Sequence, residues 1–113
     1  MQKKNNITSK AEIWIKKEVY GEAPEQHHFI VSNGKKLKNL KELIEEIENM
    51  PDSIFKSHVN NYKNDFSKWV KDIFKEDFLA EELKKTDNQI ETELKLQRHI
   101  NKKLNEVIKK LAK

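Results

Sequence analysis

In the stretch NDFSKWVKDIF, residues 64–74, the apolar side chains Phe66, Trp69, Val70, Ile73 and Phe74 recur at i, i+3, i+4, i+7 and i+8. On a helix of 3.6 residues per turn these positions form one stripe, and Lys68, Lys71, Asp72 and Lys75 fall on the opposite side. Such strict patterning is what a chain of this composition requires. Charged residues make up 37% of its 113 residues and the hydrophobic set only 35%. A core forms from so few apolar residues only if each lies on an inward face, and the length fits one domain of modest core.

The same logic assigns other helices. LKELIEEIEN places Leu40, Leu43, Ile44 and Ile47 at i, i+3, i+4 and i+7, with Asn39 and Glu42 as a capping box and Met50-Pro51 as its end. Asp52 is expected to cap a short helix with Ile54, Phe55 and Val59 inward and His58 on the same side, ended by NNYKN. Asp77 caps another containing Phe78, Leu79 and Leu83. From residue 88, Ile90, Leu94, Leu96, Ile100, Leu104, Val107, Ile108 and Leu111 fall in a stripe roughly 160° wide, broader than a two-stranded seam. The helices expected are 40–49, 53–60, 65–75, 78–86 and 88–111. Trp69, Phe66, Phe55, Leu43 and Ile47 should centre the core.

Strand signals lie toward the start. Phe29, Ile30 and Val31 precede Asn33-Gly34, a two-residue turn whose common form needs positive φ at both positions, and Leu37 lies on the return. Residues 11–20 admit two readings. Ser9 and Glu12 fit a capping box for a helix with Ala11, Ile15 and Val19 on one face. The Ile, Trp, Val and Tyr of EIWIKKEVY favour a strand, and the strand is the preferred reading. The expected fold class is mainly α, with a small antiparallel β element near residues 12–38 and a long C-terminal helix. One domain covers 1–113: a frayed start at 1–10, a core at 11–86, and a basic amphipathic helix at 88–113 after a hinge at Thr86, Asp87 and Asn88.

Function classes are narrowed mainly by exclusion. There is no cysteine, hence no disulfide framework and no thiolate chemistry. His27 and His28 point to opposite faces of a strand, His58 and His99 are remote, and no H-x-x-x-H spacing exists, so neither metal nor cofactor is expected. Neighbouring Ser57 and His58 do not make a nucleophile–base pair, and two glycines cannot build a phosphate loop. No catalytic residue is assigned and the chain is not expected to be an enzyme. No apolar run approaches a bilayer span, and the basic start MQKKNNITSK lacks an apolar continuation, so a cytoplasmic protein without membrane contact is expected.

Charge offers one candidate surface. Only Arg98 is arginine; the other 22 basic residues are lysines, which fits biased composition as well as function. Residues 95–113 hold seven cations against Glu106 alone. Lys95, Arg98, Lys102, Lys109 and Lys113 fall within about 60° on the helical wheel, a ridge that suits a phosphate backbone or an acidic partner. The plainer reading is that lysines near a helix C-terminus favour the macrodipole and solubility. With a single arginine and no exposed aromatic expected, base-specific readout is not expected. The second candidate is a polar junction of His58, Asn64 and Asp65. Asn64-Asp65 is explained by capping, while His58 requires a hydrogen-bond partner, with Asp65 or the first turn of the next helix nearest to hand. The expectation is an interaction module for a protein partner or its own copy. Non-specific nucleic-acid binding by the ridge is the alternative, and a ligand or catalytic site at His58 and Asp65 ranks last. No small molecule is expected.

The run FIVSNGKKLKNLKELIEEIENMPDSIFKSHV, then NDFSKWVKDIF, then DFLAEEL, resembles an archaea-enriched domain family of uncharacterised function. The residues that carry the likeness are Phe29, Gly34, Leu37, Leu40, Glu42, Leu43, Pro51, Asp52, His58, Asn64, Asp65, Phe66, Trp69, Val70, Leu79, Ala80 and Leu83, over about residues 29–85. The segment between His58 and Asn64 is shorter than in the family pattern. The resemblance implies a shared fold and supplies no activity.

Overall fold

A computed structural model describes residues 6–112. The domain is mainly helical, with two small antiparallel hairpins. In order, α1 (Asn6–Trp14) runs on into a π-helical turn (Ile15–Tyr20), and a 3-10 turn (Glu25–His27) leads into β1 (Phe29–Ile30) and β2 (Lys36–Leu37). Then come α2 (Leu40–Asn49), α3 (Asp52–His58), β3 (Val59–Asn60), β4 (Lys63–Asn64), α4 (Asp65–Phe74), α5 (Asp77–Lys84) and the 23-residue α6 (Gln89–Leu111).

The core follows the apolar periodicity. Leu43, Ile47, Phe55, Phe66 and Val70 are essentially sealed, and Trp69 is buried beside them. Aromatic rings form the centre: Phe29 lies 5.1 Å from Phe66 and 5.5 Å from Trp69, and Trp69 stands edge-on to Phe74 at 4.9 Å. Polar side chains then strap the helices. Ser67 Oγ donates to Ala80 O at 2.7 Å, joining α4 to α5. Gln89 Nε2 donates to Ile47 O and Met50 O, so α6 satisfies carbonyls at the end of α2.

Several sequence expectations are corrected or sharpened. Residues 11–20 are helical, not a strand; of the start expected to be frayed, 6–10 are drawn into the same helix and 1–5 lie outside the described residues. Strand propensity loses to tertiary packing here. Trp14 and Val19, and Ile15 and Tyr20, are five apart, the repeat of a π-helical turn, which lets all four pack on the core. The helix 53–60 stops at His58, because Val59 turns extended (φ −130°) and opens a second hairpin. Pro51, rather than Asp52, holds the capping position. In the first hairpin only Gly34 has positive φ (+94°). Gly34 N–H donates to Val31 O at 2.7 Å and Val31 N–H to Lys35 O at 2.8 Å, a longer loop closed by a glycine bulge. Thr86–Asn88, the expected hinge, is a hydrogen-bonded turn. Thr86 Oγ1 accepts Asn88 N–H and donates to Glu91, and Asn88 caps α6 through Glu91 N–H.

Gly21 is constrained twice. Its φ is +71°, and a Cβ there would lie 2.6 Å from two ring atoms of Phe74. Gly21→Ala is therefore expected to lower unfolding stability by about 2 kcal/mol or more. Urea unfolding with an unchanged midpoint would show that this contact is not a constraint.

Candidate functional site

His58 is the last residue of α3, which places its ring under the first hairpin and over the start of α4. It is 7% exposed. The ring meets Phe29 edge-on at 5.1 Å and Phe66 at 5.5 Å. Its Nε2 accepts the Ser32 backbone N–H at 3.0 Å. A backbone N–H can only donate, so Nε2 carries no proton and Nδ1 must be the protonated nitrogen. Nδ1 then donates to Asp65 Oδ2 at 3.0 Å. Both ring nitrogens are satisfied, which is what makes burial tolerable.

Asp65 is the first residue of α4, where the helix dipole favours a carboxylate. Lys63 Nζ also reaches its Oδ2, at 2.8 Å. Burial pushes the Asp65 carboxyl up, but the hydrogen bonds from Lys63 and His58 outweigh this and hold it below its ordinary value. Asn64 caps α4 by accepting Ser67 N–H at 2.9 Å, and its amide donates to Leu83 O at the end of α5. The structure thus brings His58, Asn64 and Asp65 together at one junction of α3, α4 and α5.

The junction supports the second hairpin, β3–β4. Asn60 Nδ2 donates to Lys56 O, and Asn60 Oδ1 accepts Tyr62 N–H, both at 3.0 Å. Tyr62 at the tip is 96% exposed. Beside it an open groove of about 1130 Å³ runs along the hairpin, α4 and the α5–α6 turn, and Asn61, Lys71 and Asp87 are among its lining residues. Sequence reasoning missed Tyr62 because NNYKN has no glycine to signal a hairpin. The Asn60 side chain, which mimics a turn hydrogen bond, was the readable cue.

The basic ridge is altered by its neighbours. Lys95 pairs with Glu82 at 3.3 Å, and Lys103, beside the ridge, pairs with Glu76 at 3.3 Å. Lys102 lies 6.0 Å from the ring of Phe78, which is 73% exposed, so an exposed aromatic does stand beside the ridge. Arg98 and Lys109 are exposed; Lys113 lies outside the described residues. The apolar stripe of α6 is divided. Leu96, Ile100 and Val107 are buried and Leu104 and Leu111 partly so, while Ile90, Leu94 and Ile108 face solvent. Among the described residues no group of His, Asp and Glu comes together that could hold a metal ion. No helix among them is long and apolar enough to cross a membrane.

Because Asp65 is held below the ordinary aspartate value near 3.9, its contribution is fully present above that pH and is lost as pH falls through its lower folded value. The stability difference between the wild-type chain and Asp65→Asn should be largest at neutral pH and shrink below about pH 4. A difference that stays constant across this range, measured by denaturant unfolding, would remove the carboxylate from the junction's energetics.

No curated protein matches this chain, and no solved structure does. A family model matches residues 25–105. It reaches past the motif run at 29–85 and takes in α6 as far as residue 105. The chain therefore belongs to a family of unknown function, DUF5752.

Proposed function

We propose that this domain is a non-enzymatic binding module for a protein partner, and that the β3–β4 hairpin with Tyr62 is its principal contact. The observation that carries this reading is a large aromatic side chain held almost wholly in solvent by a hairpin that is itself pinned. Tyrosine combines large contact area with a polar tip and few rotatable bonds, which is why it is enriched at interface hot spots. Fixing it on a bonded turn removes part of the ordering entropy that binding otherwise costs.

The occupied polar groups support a non-catalytic role. His58 has no free nitrogen to act as a base, and Asp65 already serves His58 and Lys63. Ser57 Oγ donates to Ile54 O at 2.6 Å, so the hydroxyl beside His58 is also engaged. Nucleic-acid binding along α6 ranks below, because Glu82 and Glu76 pair with Lys95 and Lys103 and weaken the field of the ridge. Self-association through α6 ranks below as well. Its exposed Ile90 and Leu94 stand apart from Ile108, which is 14 residues beyond Leu94, about 21 Å along the axis, with exposed polar Asn101 between.

Comparative capture from native extract tests the reading. A partner retained by the wild-type chain should be lost, or weakened about tenfold or more, with Tyr62→Ala, while Ile108→Ser retains it. Equal capture by the wild-type and Tyr62→Ala chains would overturn the assignment of the contact.

A further inference from the structure

On the far side of the α4–α5 connection, a cleft of about 290 Å³ lies between α5 and α6. Phe78 and Leu79 give it an apolar wall, and α6 lines it with Arg98, His99, Lys102 and Lys103. Arg98 is the single arginine among 23 basic residues. It lies at the cleft, exposed, and its side chain forms no ion pair or hydrogen bond within the described residues. Its planar fork of donors matches a carboxylate or phosphate, which a lysine matches only as a point charge.

The neighbouring cations divide into committed and uncommitted. Lys95 is tied to Glu82 and Lys103 to Glu76. Lys102 makes no ion pair among the described residues and stands one helical turn from Arg98, over the exposed Phe78 ring. Behind them the His99 Nε2 is buried without a hydrogen-bond partner. Glu76 Oε2 is its nearest acid, at 3.6 Å, too long for a hydrogen bond. Glu106, the remaining acid of the cleft, is two turns from Arg98, about 12 Å along the axis, and one turn from Lys102, with which it forms no ion pair among the described residues. One end of the cleft therefore offers two cations outside any ion pair among the described residues and an exposed aromatic face, while the buried His99 nitrogen faces Glu76 behind them.

We propose that this end of the cleft binds a small planar anion: an aromatic or similarly flat group bearing a phosphate or carboxylate. The flat group lies against Phe78 and Leu79, and the anionic group takes the Arg98 fork with Lys102 beside it. The exposure of Phe78, otherwise unexplained in a chain that buries its other phenylalanines wholly or in part, follows from this role.

Amide chemical shifts of the full chain, followed during separate titrations with phenyl phosphate, benzoate and inorganic phosphate, test it. At least one of the two aromatic anions is expected to saturate, with shifts confined to the start of α5 and to residues 95–106. It should bind about tenfold or more tightly than inorganic phosphate. Arg98→Gln and Phe78→Ala should each weaken that binding about tenfold, while Lys109→Gln and Tyr62→Ala leave it unchanged. Which anion binds better identifies the acidic group. No saturable shift up to about 10 mM, or shifts spread over many lysines and indifferent to Arg98→Gln and Phe78→Ala, would overturn the proposal. Because the hairpin is not involved, this outcome is independent of the protein-partner test.

Discussion

The imidazole of His58 joins three parts of the chain that share little else. It holds the first hairpin through Ser32 N–H, ends α3, and binds the first residue of α4 through Asp65. Each hydrogen bond is worth about 1 kcal/mol net, but leaving either buried partner unsatisfied costs about 1–3 kcal/mol. The ring is also a packing element against Phe29 and Phe66, so its polar and apolar roles are inseparable. An exposed hairpin tip such as Tyr62 can be well defined only if its base is, and Asp65, bonded to both His58 and Lys63, fixes that base.

With so few apolar residues, the helices rely on polar straps as well as on core contacts. Asn64 caps α4 and also binds the last turn of α5. Gln89 starts α6 and satisfies two carbonyls of α2 and its end. These bonds are specific in direction, whereas burial of Leu43 or Leu83 is not. They fix how the helices sit on a core that hydrophobicity alone would leave less precisely arranged.

Much of this was legible in the sequence, for identifiable reasons. The stripes of α2 and α4 repeat at helical period, and Asn39 and Asn64 mark their starts, so those elements follow from local rules. Residues 15–20 did not, because a π-helical turn answers to packing against the rest of the domain and not to a common period. The ridge on α6 was drawn on a wheel that cannot contain Glu76 and Glu82, which a different helix supplies. For the same reason the exposed Phe78 beside it was not foreseen. The bond from His58 to Asp65 could be inferred from seven-residue separation across a tight turn, but the Ser32 contact, 26 residues away, could not.

The His58 junction rests on the protonation pattern of one ring. A long-range proton–nitrogen correlation spectrum of the imidazoles at neutral pH reads it directly. The predicted result is a single neutral tautomer for His58, with the proton on Nδ1 and Nε2 acting as acceptor. A proton fixed on Nε2, or the averaged signals of a solvent-exposed imidazole, would contradict it, since Ser32 N–H and Asp65 could not then both be held by the same ring.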